Sequence, residues 1–291
     1  YVRFMEDPLR ILRGLRFSIK YDFTIEVTTR NAMSELAGEL NRISRERITD
    51  EMNKALLIDP ARTVSLYDSV NVLIQFFPYV VDMKRTVHDY RAFHHGENVF
   101  DHTLEALNNL KRMHTLTLQG IYAVLLHDIS KPYTVVVKNN KIMFPEHDRR
   151  AAAMAREWLT KMRFPNEFIV VVSTAIEYHM DLHIAETQRN RSLLSKIFVT
   201  VGENSAIMEY MLQIAESDSG HYYTWARNTI DDFKMIPSYP LGELSITLGV
   251  IPQDRGKWIR KVRQVQLTLG ITSWNELVKM ARGVTLQKQQ D

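Results

Sequence analysis

Apolar residues recur along this chain at three- and four-residue steps: Leu9, Leu12, Leu15 and Ile19; Leu104, Leu107 and Leu110; Ile207, Met211 and Ile214. This is the period of a helix with one face turned to a core, and it predicts helix nearly throughout. Alternating apolar and polar runs are scarce. The exception is Tyr133 to Val137 and Ile142 to Phe144 about Asn139-Asn140, which predicts one small β-hairpin at most. Asp59-Pro60, Pro132, Pro145, Pro165, Pro237, Pro240 and Pro252 mark breaks between helices. No internal repeat, low-complexity tract or sustained heptad is visible. The expectation is an all-α, multi-helical protein in three parts: an arginine-rich segment 1–62, a middle segment 63–236 that holds every histidine, and a basic tail 237–291.

Composition narrows the chemistry. With 291 residues, 45% hydrophobic and 24% charged, the chain has the make-up of a globular protein able to bury a core. It has no cysteine, which removes disulfides and thiolate metal sites together, so a bound metal would need nitrogen and oxygen ligands. The strongly apolar stretch near Phe168 to Ile176 is too short to cross a bilayer, and no signal-like start is present, so a cytoplasmic protein without membrane association is expected. A formal charge of +3 is small, so any nucleic-acid surface must come from local clustering. The tail supplies it with Arg255, Lys257, Arg260, Lys261 and Arg263, followed by Lys279, Arg282 and Lys288. Such a run is ordinarily a solvated helix face, but it is also the place to expect phosphate-backbone contacts.

The middle segment carries the candidate metal ligands. His102 comes first, the doublet His127-Asp128 ends an apolar run in GIYAVLLHDISKP, and His147, His179 and Asp218 follow. A single histidine is ordinarily a hydrogen-bonded or exposed ring, and His88, His114 and His183 are read that way. The joint order of the other residues suggests ligands for one or two divalent ions that activate water against phosphate esters. Neighbouring residues on a straight helix point about 100° apart. The doublet should therefore place His127 on one metal while Asp128 bridges two. His147 should open a helix after Pro145, His179 should close the run FIVVVSTAIEYH, and Asp218 should lie late on a helix beginning near Ser205. Nitrogen and oxygen ligands suit Mn, Fe, Ni, Co or Mg. Lys131, three residues past Asp128, offers a cation for transition-state charge or simply favours a helix C-terminus.

The phrases FDHTLEAL, LLHDISKP, PEHDRRAAAMA and AIEYHM resemble the HD superfamily of metal-dependent phosphohydrolases. The opening EDPLRILRGLRFSIKYDFTIE and the later RISRERITDEMNKAL are similar to the neck of bacterial tRNA nucleotidyltransferases, the CCA-adding and poly(A) polymerase family. The resemblance implies a neck over 1–62, an HD domain over 63–236 and a tRNA-binding tail. It also implies that Glu6, Asp7 and Arg10 match a nucleotide-selecting EDxxR motif that reads ATP or CTP, with Arg13 and Arg16 continuing the basic stripe. On physical grounds Asp7 can cap a helix with Pro8 at its first position.

Two departures qualify the resemblance. The family's transfer chemistry belongs to an N-terminal head with a GS motif and paired aspartates, and neither is in this sequence. The chain is therefore expected to be a fragment or one half of a split enzyme, its head supplied in cis or in trans. Ser130 stands where glycine is common after the HD phrase. The expected function is base selection and tRNA binding for 3′-end CCA or A addition. The HD part is expected to hydrolyse phosphomonoesters or 2′,3′-cyclic phosphodiesters, with Asp128 and Lys131 as catalytic residues. A free-standing HD phosphohydrolase and an RNA-binding module with a vestigial metal site are the alternatives.

Overall fold

The computed structural model describes residues 1–88, 98–139 and 141–286; Asn140 of the expected turn and Lys288 of the basic tail lie outside them. The helices are α1 Val2–Glu6, α2 Leu9–Tyr21, α3 Val27–Glu35, α4 Arg45–Leu56, α5 Pro60–Ser69, α6 Val80–Arg85, α7 Val99–Met113 and α8 Leu118–Leu126. A two-stranded antiparallel hairpin follows, β1 Val136–Lys138 and β2 Lys141–Met143, with Val136 opposite Met143 and Val137 opposite Ile142. Then come α9 His147–Lys161, α10 Asn166–Thr187, α11 Arg191–Thr200, α12 Ser205–Ser219, α13 Thr224–Met235, α14 Leu241–Thr247, α15 Arg255–Leu269 and α16 Trp274–Leu286. The hairpin is shorter than its β-prone sequence, because Lys131–Tyr133 forms a 3-10 turn.

Local chemistry sets the boundaries. Asp59 accepts the backbone N–H of Arg62 with Pro60 at the first position of α5; Asn98 and Thr117 cap α7 and α8 the same way through Asp101 and Gly120. The stripe read from sequence is the buried face of α2: Leu9, Ile11, Leu12, Leu15 and Ile19 are all covered.

The helices gather into two compact units, 1–179 with 209–221 and 180–208 with 222–291. This division differs from the three-part reading. Prolines mark where helices stop, whereas packing decides which helices share a core, and the neck shares one with the histidine-bearing helices. In the first unit Tyr67, Phe77, Tyr122 and Trp158 fill the centre; the Trp158 indole donates to the Phe76 carbonyl and the Tyr122 hydroxyl to Asn53. Gly120 lets α8 approach α12, since a Cβ there would collide with the Gln213 amide oxygen. In the second unit Leu241, Leu244, Trp258, Val262, Leu277 and Ala281 form the core.

Helix α10 corrects the expectation for Phe168 to Ile176. The helix does not close at His179 but runs to Thr187, and by length and composition alone it is long and apolar enough to cross a membrane. It is also partly buried and carries Glu177, His179, Asp181 and His183.

Candidate metal centre

The six residues singled out in the middle segment converge, all within the first unit. His102 lies one turn into α7, and His127 and Asp128 follow the end of α8. His147 opens α9, His179 lies midway along α10, and Asp218 lies in the last turn of α12. They form two groups that share Asp128. In one, His102, His127, Asp128 and Asp218 bring ligand atoms within 4.8 Å of one another; in the other, Asp128, His147 and His179 do so. Sequence separation is more than a hundred residues between His102 and Asp218, yet His102 Nε2 stands 2.5 Å from Asp218 Oδ1.

The doublet does what a straight helix forbids. Helix α8 ends at Leu126, and the chain turns through residues 127–130, so His127 Nε2 and Asp128 Oδ2 come within 3.1 Å of each other. The two carboxylate oxygens of Asp128 face different groups. Oδ2 faces His127 and lies 3.7 Å from His102 Nε2, while Oδ1 faces His147 Nε2 at 3.5 Å.

Three of the imidazoles are locked from behind. Nδ1 of His127 donates to the Val124 carbonyl at 2.7 Å, Nδ1 of His147 to Phe144 at 2.8 Å, and Nδ1 of His179 to Ile176 at 2.6 Å. Each bond reaches three residues back along the chain. It fixes the tautomer and leaves Nε2 pointing inward with its lone pair, as metal-ligating histidines require. Ser130 is buried and its hydroxyl donates to the His147 carbonyl at 2.6 Å, tying the turn after His127-Asp128 to the start of α9.

The donor set fits a divalent cation on two counts. Asp128 Oδ1 is buried and has no hydrogen-bond partner among the described residues, an arrangement that costs free energy unless something cationic meets it. The locked imidazoles and two carboxylates also form an all-nitrogen-and-oxygen set with Asp128 able to bridge. About a third of the Asp218 side chain is exposed, making it the ligand nearest solvent.

Ionisation in the metal-free cluster has the same logic. Desolvation opposes a charge on His127, but Asp128 and Asp218 outweigh it and raise its pKa to about 10. Burial disfavours both carboxylates, yet His127 and Lys131 hold Asp128, and His102 and His127 hold Asp218, well below the usual carboxylate range. Burial and neighbouring imidazoles push His179 down to about 3, and burial also lowers His147. The extra proton on His127 thus occupies the place a cation would take.

Sequence reading missed His88. A short antiparallel bridge between Val87 and Asn98 lays the segment beside the start of α7, so the His88 ring stacks on His102 at 3.8 Å. Its Nε2 accepts from Lys131 Nζ at 2.7 Å, and the same ammonium donates to Asp128 Oδ2 at 2.5 Å. Burial and Lys131 push the His88 pKa down to about 3, consistent with a neutral acceptor. No helical spacing relates residue 88 to 102, so no periodic signal could have found it.

The neck residues are arranged differently. Asp7 is extended (φ −146°, ψ 96°) between α1 and α2, and its carboxylate accepts the Leu9 N–H at 3.2 Å, but Pro8 rather than Asp7 stands at the N-cap of α2, one residue later than expected. Arg10 pairs with Glu6 at 2.8 Å and donates to the Arg3 carbonyl at 2.9 Å; the cation nearest Asp7 is Arg47, at 3.7 Å. The predicted arginine stripe also spreads around the helix, because three-residue steps precess by about 60° each. Arg13 is exposed, while Arg16 is tucked against Glu51 at 2.9 Å.

In the tail, Lys257, Arg260 and Lys261 are exposed and share one face of α15, and Arg255 donates to the Val250 carbonyl. Arg263 departs from the expectation. It is buried, forms a two-pronged pair with Glu203 at 2.8 and 2.9 Å, and donates to the Pro237 carbonyl and the Gln266 amide. Its helical position turns it to the core beside Val262 and Gln266, where only a fully partnered guanidinium is tolerated.

Parts of the chain match known protein families. Residues 22–83 match the family described as "Probable RNA and SrmB- binding site of polymerase A", and residues 99–210 match the HD domain. The A-adding tRNA nucleotidyltransferase of Deinococcus radiodurans is 31% identical over 184 residues, covering 60% of this chain and 42% of that protein. In these segments and their order the chain is similar to tRNA nucleotidyltransferases of the CCA-adding and poly(A) polymerase family. A multifunctional CCA protein of Dechloromonas aromatica is 25% identical over 255 residues, 83% of this chain and 58% of its own length. The CCA-adding enzyme of Thermotoga maritima, solved in complex with tRNA, shares the fold at a TM-score of 0.59 and 18% identity, over 96% of this chain and 61% of that one. The chain thus spans about half the length of these curated nucleotidyltransferases.

Proposed function

We propose that this chain is the base-selecting and tRNA-gripping portion of a tRNA nucleotidyltransferase. We further propose that its HD centre hydrolyses phosphomonoesters or 2′,3′-cyclic phosphodiesters at RNA ends. The observation that carries the hydrolytic reading is Asp128, whose two oxygens face two separate histidine groups and whose Oδ1 is buried without a hydrogen-bond partner among the described residues. Bound divalent ions, drawn from Mn, Ni, Co, Fe or Mg, would activate water and screen phosphate charge.

This chain's residues do the rest. His127, His147 and His179 present fixed Nε2 atoms, His102 and Asp218 complete the group nearer solvent, and Asp128 joins the two. Lys131 stands at Asp128 with a positive charge available to a phosphate oxygen, and His88 holds that ammonium from the other side. In the neck, Asp7 and Arg10 select the base of ATP or CTP, with Glu6 orienting Arg10 and Arg13 adding positive charge nearby. Lys257, Arg260 and Lys261 contact the tRNA backbone, with Arg255 at the start of the same helix. Transfer itself is assigned to a head domain in cis or in trans, and tRNA processing gives a cytoplasmic location.

The hydrolytic test uses the metal-replete chain and a 2′,3′-cyclic nucleotide. Phosphodiester opening should be lost on chelation and fall more than ~100-fold in Asp128→Ala, since even indirect partners of metal ligands contribute 10–100-fold. Affinity for tRNA should stay within about two-fold, because Asp128 is enclosed and the binding energy comes from exposed phosphate contacts. Unchanged hydrolysis in Asp128→Ala would remove the HD centre from the reaction. Base selection is tested by Arg10→Ala in a complete nucleotidyltransferase, which should scramble or stall addition of C and A; normal ordered addition would end that assignment.

A further inference from the structure

Helix α2 carries a feature that neither the metal centre nor the EDxxR segment uses, a row of three exposed aromatic rings. Phe17 and Tyr21 stack at 6.1 Å with 26° between their planes, and Tyr21 and Phe23 at 5.6 Å with 28°. The three are 39%, 52% and 64% exposed. Phe17 and Tyr21 meet because four residues make one helical turn. Phe23 lies past the helix end and is brought back by a specific closure. Asp22 adopts a left-handed conformation (φ 56°), the Phe23 N–H donates to the Ser18 carbonyl at 3.0 Å, and the Ser18 hydroxyl donates to the Phe23 carbonyl at 2.6 Å. The closure fixes the ring without burying it. Single exposed apolar side chains are ordinary, but a fixed, contiguous set marks a surface that something covers.

Cations interleave with the rings. The Arg16 guanidinium lies 4.5 Å from the Phe17 ring centre and Lys20 Nζ lies 5.2 Å from that of Tyr21. Arg13 is exposed one turn before Phe17, and Arg62 is held beside the row by Asp22 at 2.7 Å.

We propose that Phe17, Tyr21 and Phe23 form a stacking platform for unpaired nucleobases of single-stranded RNA. The inference rests on the tRNA-gripping reading and adds to it a second site with a different kind of contact. Every nucleobase has a face that stacks on an aromatic ring whatever its sequence, and adjacent Lys and Arg meet the phosphates between the bases. A protein covering the same rings would bury Lys20 and Arg13 and would need an acid for each. An RNA strand brings its own counter-charge.

The experiment uses the whole chain, full-length tRNA, and a short single-stranded RNA containing 2-aminopurine, whose fluorescence falls when it stacks. Quenching on binding is expected. Tyr21→Ala and Phe23→Ala should each weaken oligonucleotide binding by about ten-fold, with Phe23→Tyr restoring it, in line with the strength of base–aromatic stacking. Both side chains are exposed, so melting temperatures should match the parent. If the parent binds tRNA but does not quench 2-aminopurine, and the alanine variants bind the oligonucleotide within two-fold of it, the platform is wrong while the grip reading stands. If the parent binds neither RNA, the grip reading fails and takes the platform with it. Altered self-association in the variants with unchanged RNA affinity would make the row a protein contact and overturn the proposal.

Discussion

The HD cluster and the basic face of α15 both concentrate charged and titratable groups, but on opposite terms. In the cluster most polar atoms are enclosed and meet partners near and far along the chain: Asp128 pairs with its neighbours His127 and Lys131, and Asp218 with His102 more than a hundred residues away. On α15, Lys257, Arg260 and Lys261 stand in solvent, while Arg263, two residues past Lys261, is buried and held by Glu203. The contrast teaches that residue type does not decide what a charge does. An enclosed charge acts on its neighbours and on the fold; an exposed one acts on whatever arrives from solution.

Arg263 tests the contrast with the largest expected effect on stability. Arg263→Ala leaves the buried edge of Glu203 and the Pro237 carbonyl without their donor, and should cost about 3 kcal/mol in urea unfolding. Lys257→Ala on the same helix should stay within ~0.5 kcal/mol. Instead, it should reduce the slope of log tRNA affinity against log salt by about one. Equal stability losses from the two would erase the distinction.

Acidity probes the cluster from both sides. In the metal-free protein His127 titrates near 10, above its unfolded value of 6.5. Its stabilising contribution is therefore fully present below pH 6.5 and is lost as pH rises through 10, at up to about 1 kcal/mol per pH unit. His179 and His147 are shifted down, so their contribution is lost as pH falls below 6.5; the depressed Asp128 and Asp218 add to the acid side below their unfolded value of 3.8. Metal-free stability should peak near pH 6.5, and added Mn should flatten the alkaline limb by replacing the His127 proton. Calorimetric titration near pH 8 in two buffers should show about one proton released per cluster filled. An alkaline limb that chelator and metal leave alike would mean that His127 does not bind the ion.

Lys131→Met should give the smallest shift and the most specific one. The ammonium lies 2.5 Å from the Asp128 oxygen that a cation would also claim, so removing it should tighten metal binding by roughly ten-fold. Turnover should nevertheless fall, because the charge offered to phosphate has gone. Weaker metal binding in this variant would show that Lys131 supports the ligands rather than competing for them.

Much of the site was legible in order but not in shape. The linear arrangement of His102, His127-Asp128, His147, His179 and Asp218 named the residues that converge, because each lies at or near a helix end or on a buried face that periodicity marks. The convergence of the doublet was not legible, since it depends on α8 stopping one residue before His127 and the chain turning there. His88 was not legible either: it reaches His102 through a bridge between Val87 and Asn98 that no local pattern announces. Arg263 was misread as surface because a basic run looks the same from sequence whichever way the helix is rotated.

The sequence by itself determined the helical class, the buried stripes, the helix boundary at Asp59-Pro60, and the set of side chains able to hold a metal. These follow from local periods and short-range hydrogen bonds, which a linear chain already contains. Only the tertiary structure decided which oxygen of Asp128 faces which histidines, that His88 stands beside Lys131, and that Arg263 supports the fold while Lys257 meets solvent. Those outcomes come from packing residues far apart in the chain, where burial makes each unpaired polar group costly and so selects one arrangement.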